Sequence, residues 1–216
     1  MVNKITIESF KSIEKVDVEL GRVNLFVGAN GSGKSNLLEA VGVLSAAAGG
    51  RVDDEALMRR GVRPGLPRLY KCALKGARQT PHITFGAESA HAAYKVSLFN
   101  PLTDPKPAWR FHTESWTRDS QTLVSRSHRM KSKPNPEGGL AALKAVDLDE
   151  GDPALKLLDA LRAKQTHQPY VASRLSFNRE SLWAFPAADC HKRFSPCSAP
   201  FVEILKKDSS LEPSVA

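Results

Sequence analysis

Residues Gly28 to Ser35 read GANGSGKS and fit the spacing G-x-x-x-x-G-K-[ST] of a phosphate-binding loop. Gly28, Gly31 and Gly33 have no Cβ, so their backbone is free to take positive φ and to turn amide N–H groups onto a phosphate. Lys34 supplies a positive charge for the β- and γ-phosphates and is the candidate catalytic residue, while the Ser35 hydroxyl is the candidate Mg²⁺ ligand. The chemistry expected here is binding of a nucleoside triphosphate, with ATP and Mg²⁺ as cofactors.

The other residues of this loop and of the turn after it belong to the same predicted site. Asn30 and Asn36 have a second explanation, because asparagine also caps helices and stabilises turns. The predicted nucleotide contacts in the loop and directly after it are Gly28, Ala29, Asn30, Gly31, Ser32, Gly33, Lys34, Ser35 and Asn36.

The elements on either side of the loop are those that it requires. Apolar residues alternate before it, as in a strand, and recur at helical spacing after it, until Gly49-Gly50 gives a stop signal. The alternating residues are Val23, Leu25 and Val27, and the helical ones are Leu37, Leu38, Val41 and Leu44. The sequence therefore predicts a strand, a phosphate-binding loop and a helix in that order.

Two further predicted strands precede the nucleotide strand, with Phe10-Lys11-Ser12-Ile13 at the turn between them. This lead-in and the run that follows resemble the RecF and SMC branch of ABC-type ATPases. The matching residues are Asn24, Val27, Gly28, the run from Asn30 to Asn36, Leu37, Leu38, Glu39 and Ala40. The resemblance is close over roughly the first fifty residues, and it implies that Lys11 contacts the nucleotide.

The fold that this resemblance implies is an α/β P-loop NTPase with an ABC-ATPase-like mixed sheet and an antiparallel β-subdomain, in an incomplete form. We assign residues 1–163 to the N-terminal part of the ATPase domain, with the β-subdomain at about 80–116. Its candidate strands are Ile83–Phe85, Tyr94–Phe99 and Trp109–Thr113. Without further central strands, the nucleotide strand would keep an uncovered edge.

The same resemblance predicts a glutamine loop, an LSGGQ-type signature, an acidic Mg²⁺-binding strand and a switch histidine. Gln121 is one candidate for the glutamine loop, and the other three are not found in this sequence. Since the signature and the acidic pair prepare the γ-phosphate and the attacking water, we expect this chain alone to be deficient in hydrolysis.

Residues 164–216 form an irregular tail, because their apolar residues no longer recur at the spacing of a helix or a strand. The last regular element expected is a helix over Ala154–Arg162, with Pro153 at its start and Leu155, Leu158 and Leu161 facing a core. Synonymous codons for Trp183 to Cys190, read two bases later, spell Gly-Leu-Ser-Gly-Gly-Arg-Leu, which resembles the missing signature. We interpret the tail as out of frame and the chain as truncated; a natural C-terminal extension is the alternative.

The net charge of +8 is compatible with a surface that meets DNA, and equally with solvated basic loops. Basic residues cluster in two groups, a first arginine group of Arg51, Arg59, Arg60, Arg63 and Arg68, and a second basic group of Arg118, Arg126, His128, Arg129, Lys131 and Lys133. No apolar run is long enough to cross a bilayer, so we expect no membrane association and a cytoplasmic location.

Three functions remain open from sequence. The first is ATP binding, with hydrolysis in the complete family, by a RecF/SMC-like ATPase linked to DNA repair, chromosome maintenance or phage defence. The second is a non-hydrolysing module that pairs with itself or with a partner ATPase subunit. The third is a small-molecule P-loop kinase, against which the two lead-in strands argue.

Overall fold

The computed structural model describes residues 1–22, 24–72, 80–127 and 134–163, and the backbone of residues 203–206. The out-of-frame interpretation of the tail falls on segments that lie outside the described residues. So do Val23 and the members of the second basic group at positions 128–133.

Most of the described chain is built from short strands and four helices. The strands are β1 (Lys4–Phe10), β2 (Ile13–Glu19), β3 (Asn24–Val27), β4 (His82–Glu88), β5 (Ala92–Phe99), β6 (Arg110–Arg118), β7 (Gln121–Arg126) and β8 (Glu203–Lys206). The helices are α1 (Lys34–Ala48), α2 (Asp54–Met58), α3 (Leu140–Lys144) and α4 (Pro153–Arg162), with 3₁₀ turns at Pro67–Tyr70 and Ala145–Asp147.

Six strands form one sheet in the order β2-β1-β4-β5-β6-β7, and every neighbouring pair is antiparallel. The two lead-in strands and the three candidate strands of the β-subdomain are therefore present. The sequence missed β7, whose residues QTLVSR include only two apolar side chains. It is an edge strand, and such a strand needs less apolar sequence than a central one.

The nucleotide strand β3 does not join this sheet. Among the described residues it pairs only with β8, antiparallel, with Asn24 opposite Lys206 and Val27 opposite Glu203. The mixed sheet expected from sequence does not form within the described residues, because a parallel partner for β3 would have to arrive through a crossover connection that they do not supply. Leu25 and Val27 are consequently 53% and 43% exposed, whereas a central parallel strand is buried on both faces.

Helices α1 and α4 cover the sheet and close the core. Helix α1 contacts β1 and β4, and α4 contacts β5, β6 and α1. The Arg162 Nε donates to the Ala48 carbonyl at 3.1 Å, which ties the ends of the two helices together. Helix α4 begins at Pro153 as predicted, but it buries Leu157, Leu158 and Leu161, while Leu155 is only half-buried.

Gly42, inside α1, lies close against the segment after α2. A Cβ there would lie 2.6 Å from Val62 Cγ2 and 3.0 Å from the Arg60 carbonyl oxygen. Alanine in a helix interior ordinarily gains roughly 0.5–1 kcal/mol over glycine. Here we expect Gly42→Ala to lower the free energy of unfolding instead, by about 1–3 kcal/mol, because the helix or the segment must move.

Denaturant titration of the full chain measures this difference. Gly151→Ala is the matched control, since a Cβ at Gly151 would have no neighbour within 4 Å. A Gly42→Ala protein as stable as the parent would contradict the close packing described here.

Candidate nucleotide site

The predicted loop spans residues 28–33 and connects β3 to the first turn of α1. Helix α1 begins at Lys34, and Gly33 is its N-cap residue, with no side chain bonded to the helix end. The first amide N–H groups of a helix have no partner inside the helix, and together with the helix dipole they attract anions. The loop residues from Gly28 to Gly31 are exposed, so a polyphosphate has access to this end of the helix.

Two of the three predicted glycines take the backbone conformation that the motif requires. Gly31 has φ +84° and Gly33 has φ +93°, both in the left-handed region that favours glycine. At Gly33 the space is restricted as well, because a Cβ would lie 3.3 Å from the Ser12 hydroxyl oxygen. Gly28 does not use the same freedom: among the three glycines, only Gly31 and Gly33 have positive φ.

The ammonium group of Lys34 lies inside the loop. Lys34 Nζ donates to the carbonyls of Gly28 at 2.5 Å and Ala29 at 2.7 Å, and to the Ser32 hydroxyl at 3.3 Å. The loop therefore wraps around the same charge that the motif assigns to the β- and γ-phosphates. To bind a phosphate, Lys34 has to exchange these carbonyl acceptors for phosphate oxygens.

Ser35 is exposed and follows Lys34 in the first turn of α1. Among the residues that the structure describes, no group of three or more His, Cys, Asp or Glu side chains could hold a metal ion. This arrangement fits Mg²⁺ bound with a nucleotide, because that ion takes few protein ligands and keeps phosphate oxygens and waters.

Asn30 lies in the loop, whereas Asn36 lies in the first turn of α1. Asn30 is exposed at the loop turn. The Asn36 side-chain amide donates to the Ser12 hydroxyl at 2.7 Å, so it braces α1 against the β1–β2 turn. The structure thus gives Asn36 a contact that neither explanation from sequence included.

Lys11, the candidate nucleotide contact in the lead-in, has its ammonium bound to the carboxylate of Glu39. The Arg63 guanidinium binds the other oxygen of the same carboxylate. Lys11 Nζ also lies 5.0 Å from the centre of the Tyr70 ring, within cation–π distance. Sequence reasoning did not identify Glu39 as the partner of Lys11 and Arg63, although Glu39 follows Ser35 by four residues and must share its face of the helix.

Gln121 lies far along the sheet from this site. It begins β7 and is paired with Arg118, which pairs in turn with Ala92 at the start of β5. The loop side of the sheet is the opposite end, where β1 finishes at Phe10 and β5 at Phe99. The strand register therefore gives no support to Gln121 as a glutamine-loop residue.

The first arginine group is largely committed to acidic partners within the fold. Arg51 pairs with Asp53, Arg59 with Glu55, and Arg63 with Glu39. Arg60 is half-buried and donates to the Ser45 hydroxyl and the Ala56 carbonyl, both at 2.9 Å. Burial, and to a smaller extent the charge of Arg59, lower the pKa of Arg60. Three of the five arginines of this group are thus paired with carboxylates, while their own side chains remain largely exposed.

Comparison with known proteins gives a family match over the same part of the chain. Residues 1–60 match the AAA ATPase domain family model. The chain is similar to the DNA replication and repair protein RecF of Corynebacterium jeikeium (strain K411), at 32% identity over 95 residues, which are 43% of this chain and 22% of that protein. It is also 38% identical over 98 residues to RecF of Magnetococcus marinus, covering 44% of this chain and 25% of that protein.

RecF of Clavibacter michiganensis subsp. michiganensis matches at 40% identity over 70 residues, 32% of this chain and 17% of that protein. The chain thus spans about a fifth of the length of the curated relatives it matches. The resemblance seen in the sequence is confirmed: the N-terminal part of the chain is similar to the AAA ATPase domain and to the corresponding part of RecF. In the described residues, no helix combines the length and the apolar character needed to cross a membrane.

Proposed function

We propose that this chain binds ATP with Mg²⁺ through the loop at residues 28–35, as the N-terminal part of a P-loop ATPase lobe of the RecF/SMC branch. The observation that carries the proposal is the loop itself. It has left-handed Gly31 and Gly33, an enclosed Lys34, and a helix end free of side-chain caps, all within the segment that matches the AAA ATPase domain. A nucleotide offers the anion that such a loop and helix end attract.

Each loop residue has a distinct part in this proposal. The backbone N–H groups at the start of α1 receive the phosphates, and Lys34 moves from the carbonyls of Gly28 and Ala29 to the β- and γ-phosphate oxygens. Ser35 contributes its hydroxyl to the metal. When bound, Mg²⁺ neutralises charge on the phosphate oxygens.

We propose further that the chain alone binds ATP without turning it over, and that hydrolysis requires residues from a second subunit. No signature, acidic metal strand or switch histidine was found in the sequence, which supports this. Leu25 and Val27 are exposed apolar side chains on β3, and their burial against a second copy or a partner ATPase subunit would stabilise such a pair.

DNA as a partner, and a cytoplasmic location, also remain part of the proposal. Support for DNA comes from the name of the relatives, DNA replication and repair protein RecF. The described surface adds little, because several of its arginines are paired with carboxylates.

Calorimetric titration of the full chain with ATP, with and without Mg²⁺, tests the binding. We expect a dissociation constant on the order of micromolar with Mg²⁺. Ser35→Ala should remove most of the Mg²⁺ enhancement, raising the dissociation constant about tenfold, because the metal loses its protein ligand.

Ser125→Ala, at an exposed position on β7, is the control and should bind as the parent does. Phosphate release measured in the same samples should stay at background. Absence of heat with MgATP in a folded sample would refute the binding proposal, and steady turnover by the purified chain would refute the need for a second subunit.

A further inference from the structure

We propose that Glu39 is a positioning residue for the nucleotide loop: through Lys11 it holds the β1–β2 turn against the first turns of α1, and so fixes Ser12 on the loop. This inference rests on the proposed ATP binding. It assigns Lys11 to the support of the site rather than to direct contact with the nucleotide.

Glu39 is a buried carboxylate with two cations. Its side chain is 6% exposed, and its two oxygens bind Lys11 and Arg63. Lys11 is itself only 14% exposed, whereas Arg63 is largely exposed. Removing one member of a buried ion pair leaves the other charge uncompensated, so the Lys11–Glu39 contact strongly restrains where the turn can lie.

The backbone at Lys11 shows that the turn is held in an unfavourable conformation. Lys11 has φ +49° and Ser9 has φ +61°, which are uncommon for residues with a side chain. Such strain persists only where the surroundings determine it. Here the Lys11 N–H donates to the Tyr70 carbonyl at 3.0 Å while its ammonium lies between Glu39 and the Tyr70 ring.

The next residue of the turn, Ser12, touches the nucleotide loop. Its hydroxyl accepts the 2.7 Å hydrogen bond from Asn36, and it lies where a Cβ on Gly33 would be 3.3 Å away. A shift of the turn would therefore remove the packing of Ser12 against Gly33. It would also break the hydrogen bond between Ser12 and Asn36 in the first turn of α1. Glu39 lies one helical turn beyond Ser35, so the carboxylate and the loop are joined through a rigid helix.

Binding is tighter when a loop is held in its binding conformation beforehand. Glu39→Gln keeps the size of the side chain but removes the charge that holds Lys11. We expect it to raise the MgATP dissociation constant of the full chain about tenfold, measured well below the unfolding temperature of each variant. A role in stability alone would lower the unfolding temperature and leave the affinity of the folded protein unchanged.

Asp152→Asn is the matched control for the loss of a buried ion pair. Asp152 is 5% exposed, binds Arg118, and accepts a hydrogen bond from the Ala154 amide at the start of α4. Arg118 belongs to the end of the sheet opposite the loop. We expect this variant to lose stability and to keep the parent affinity within about twofold.

Ser12→Ala gives a test that does not threaten the fold, because Ser12 is exposed. We expect about a threefold loss of affinity from it alone. Combined with Glu39→Gln, it should add little, since both changes release the same turn. Equal affinity in the parent, Glu39→Gln and Ser12→Ala proteins would overturn the positioning role, as would additive losses in the double variant. Failure of the parent itself to bind MgATP would instead refute the proposed function.

Discussion

Replacing Lys34 by alanine should abolish measurable ATP binding, with the dissociation constant rising at least about a hundredfold. Lys34 is the only side-chain cation that the loop sequence provides, and Nζ already lies among the carbonyls of Gly28 and Ala29 where the phosphates are expected to approach. Without it, the polyphosphate would face these carbonyl oxygens with no compensating charge. Titration with MgATP under the conditions used for the parent measures the loss.

The Lys34 contacts predict a second effect in the absence of nucleotide. Since the ammonium joins Gly28, Ala29 and Ser32, its removal should loosen the loop, and amide hydrogen exchange should become faster over residues 28–33. Lys95→Ala, at an exposed position on β5, is the control for both measurements. Retained ATP affinity in Lys34→Ala would refute the assignment of the site and, with it, all three functions considered from sequence.

The strand, loop and helix of this site could be predicted because their signals are local. The motif residues are contiguous, the helix signal repeats every three or four residues, and the stop at Gly49-Gly50 coincides with the end of α1. The lead-in strands were predictable for the same reason, since Ile5 and Ile7 alternate within β1. Local patterns therefore gave the parts of the fold on which the loop depends.

The contacts between distant segments could not be predicted in this way. Arg63 reaches Glu39 across 24 positions and Lys11 reaches it across 28. Sequence marks these residues as charged but does not say which charges meet. For the same reason Lys11 was predicted to touch the nucleotide, and the first arginine group was considered as a DNA surface, while the structure gives most of these cations carboxylate partners.

The environment of β3 depends on other strands and helices of the ATPase lobe, and local sequence patterns do not indicate where these lie. The alternation of Leu25 and Val27 correctly indicates a strand, yet neither side chain is buried. A central strand of an α/β sheet is apolar because neighbouring strands and helices cover both of its faces. The sequence of β3 is thus suited to a more buried environment than it has among the described residues.

The largest loss of stability is expected from Glu114→Ala. Glu114 is 1% exposed, and its carboxylate accepts hydrogen bonds from the Leu140 and Ala141 amides at 2.7 and 3.0 Å. These amides form the beginning of α3. The Tyr94 hydroxyl donates to the same carboxylate at 3.2 Å, and burial followed by the Glu114 charge raises the pKa of Tyr94 well above its ordinary value.

The buried cation beside Glu114 makes its removal costly. Arg126 Nε lies 3.9 Å from the Glu114 carboxylate, too far for a hydrogen bond, and the guanidinium donates to the carbonyls of Phe111 and Asn135 at 3.3 and 3.1 Å. Alanine at position 114 leaves this charge without its counter-charge and two helix amides without acceptors. We expect the free energy of unfolding to fall by about 3–5 kcal/mol.

Denaturant titration measures this loss, and Glu137→Ala, at an exposed position before α3, should change stability by less than about 0.5 kcal/mol. A loss below about 1 kcal/mol in Glu114→Ala would show that Arg126 is satisfied by the carbonyls alone. The effect on ATP affinity should be small as long as the protein stays folded, because none of the Glu114 contacts described here involves the loop or Glu39. Glu114 and Glu39 are both buried carboxylates with cationic partners, so opposite outcomes at these two positions would separate support of the core from support of the nucleotide site.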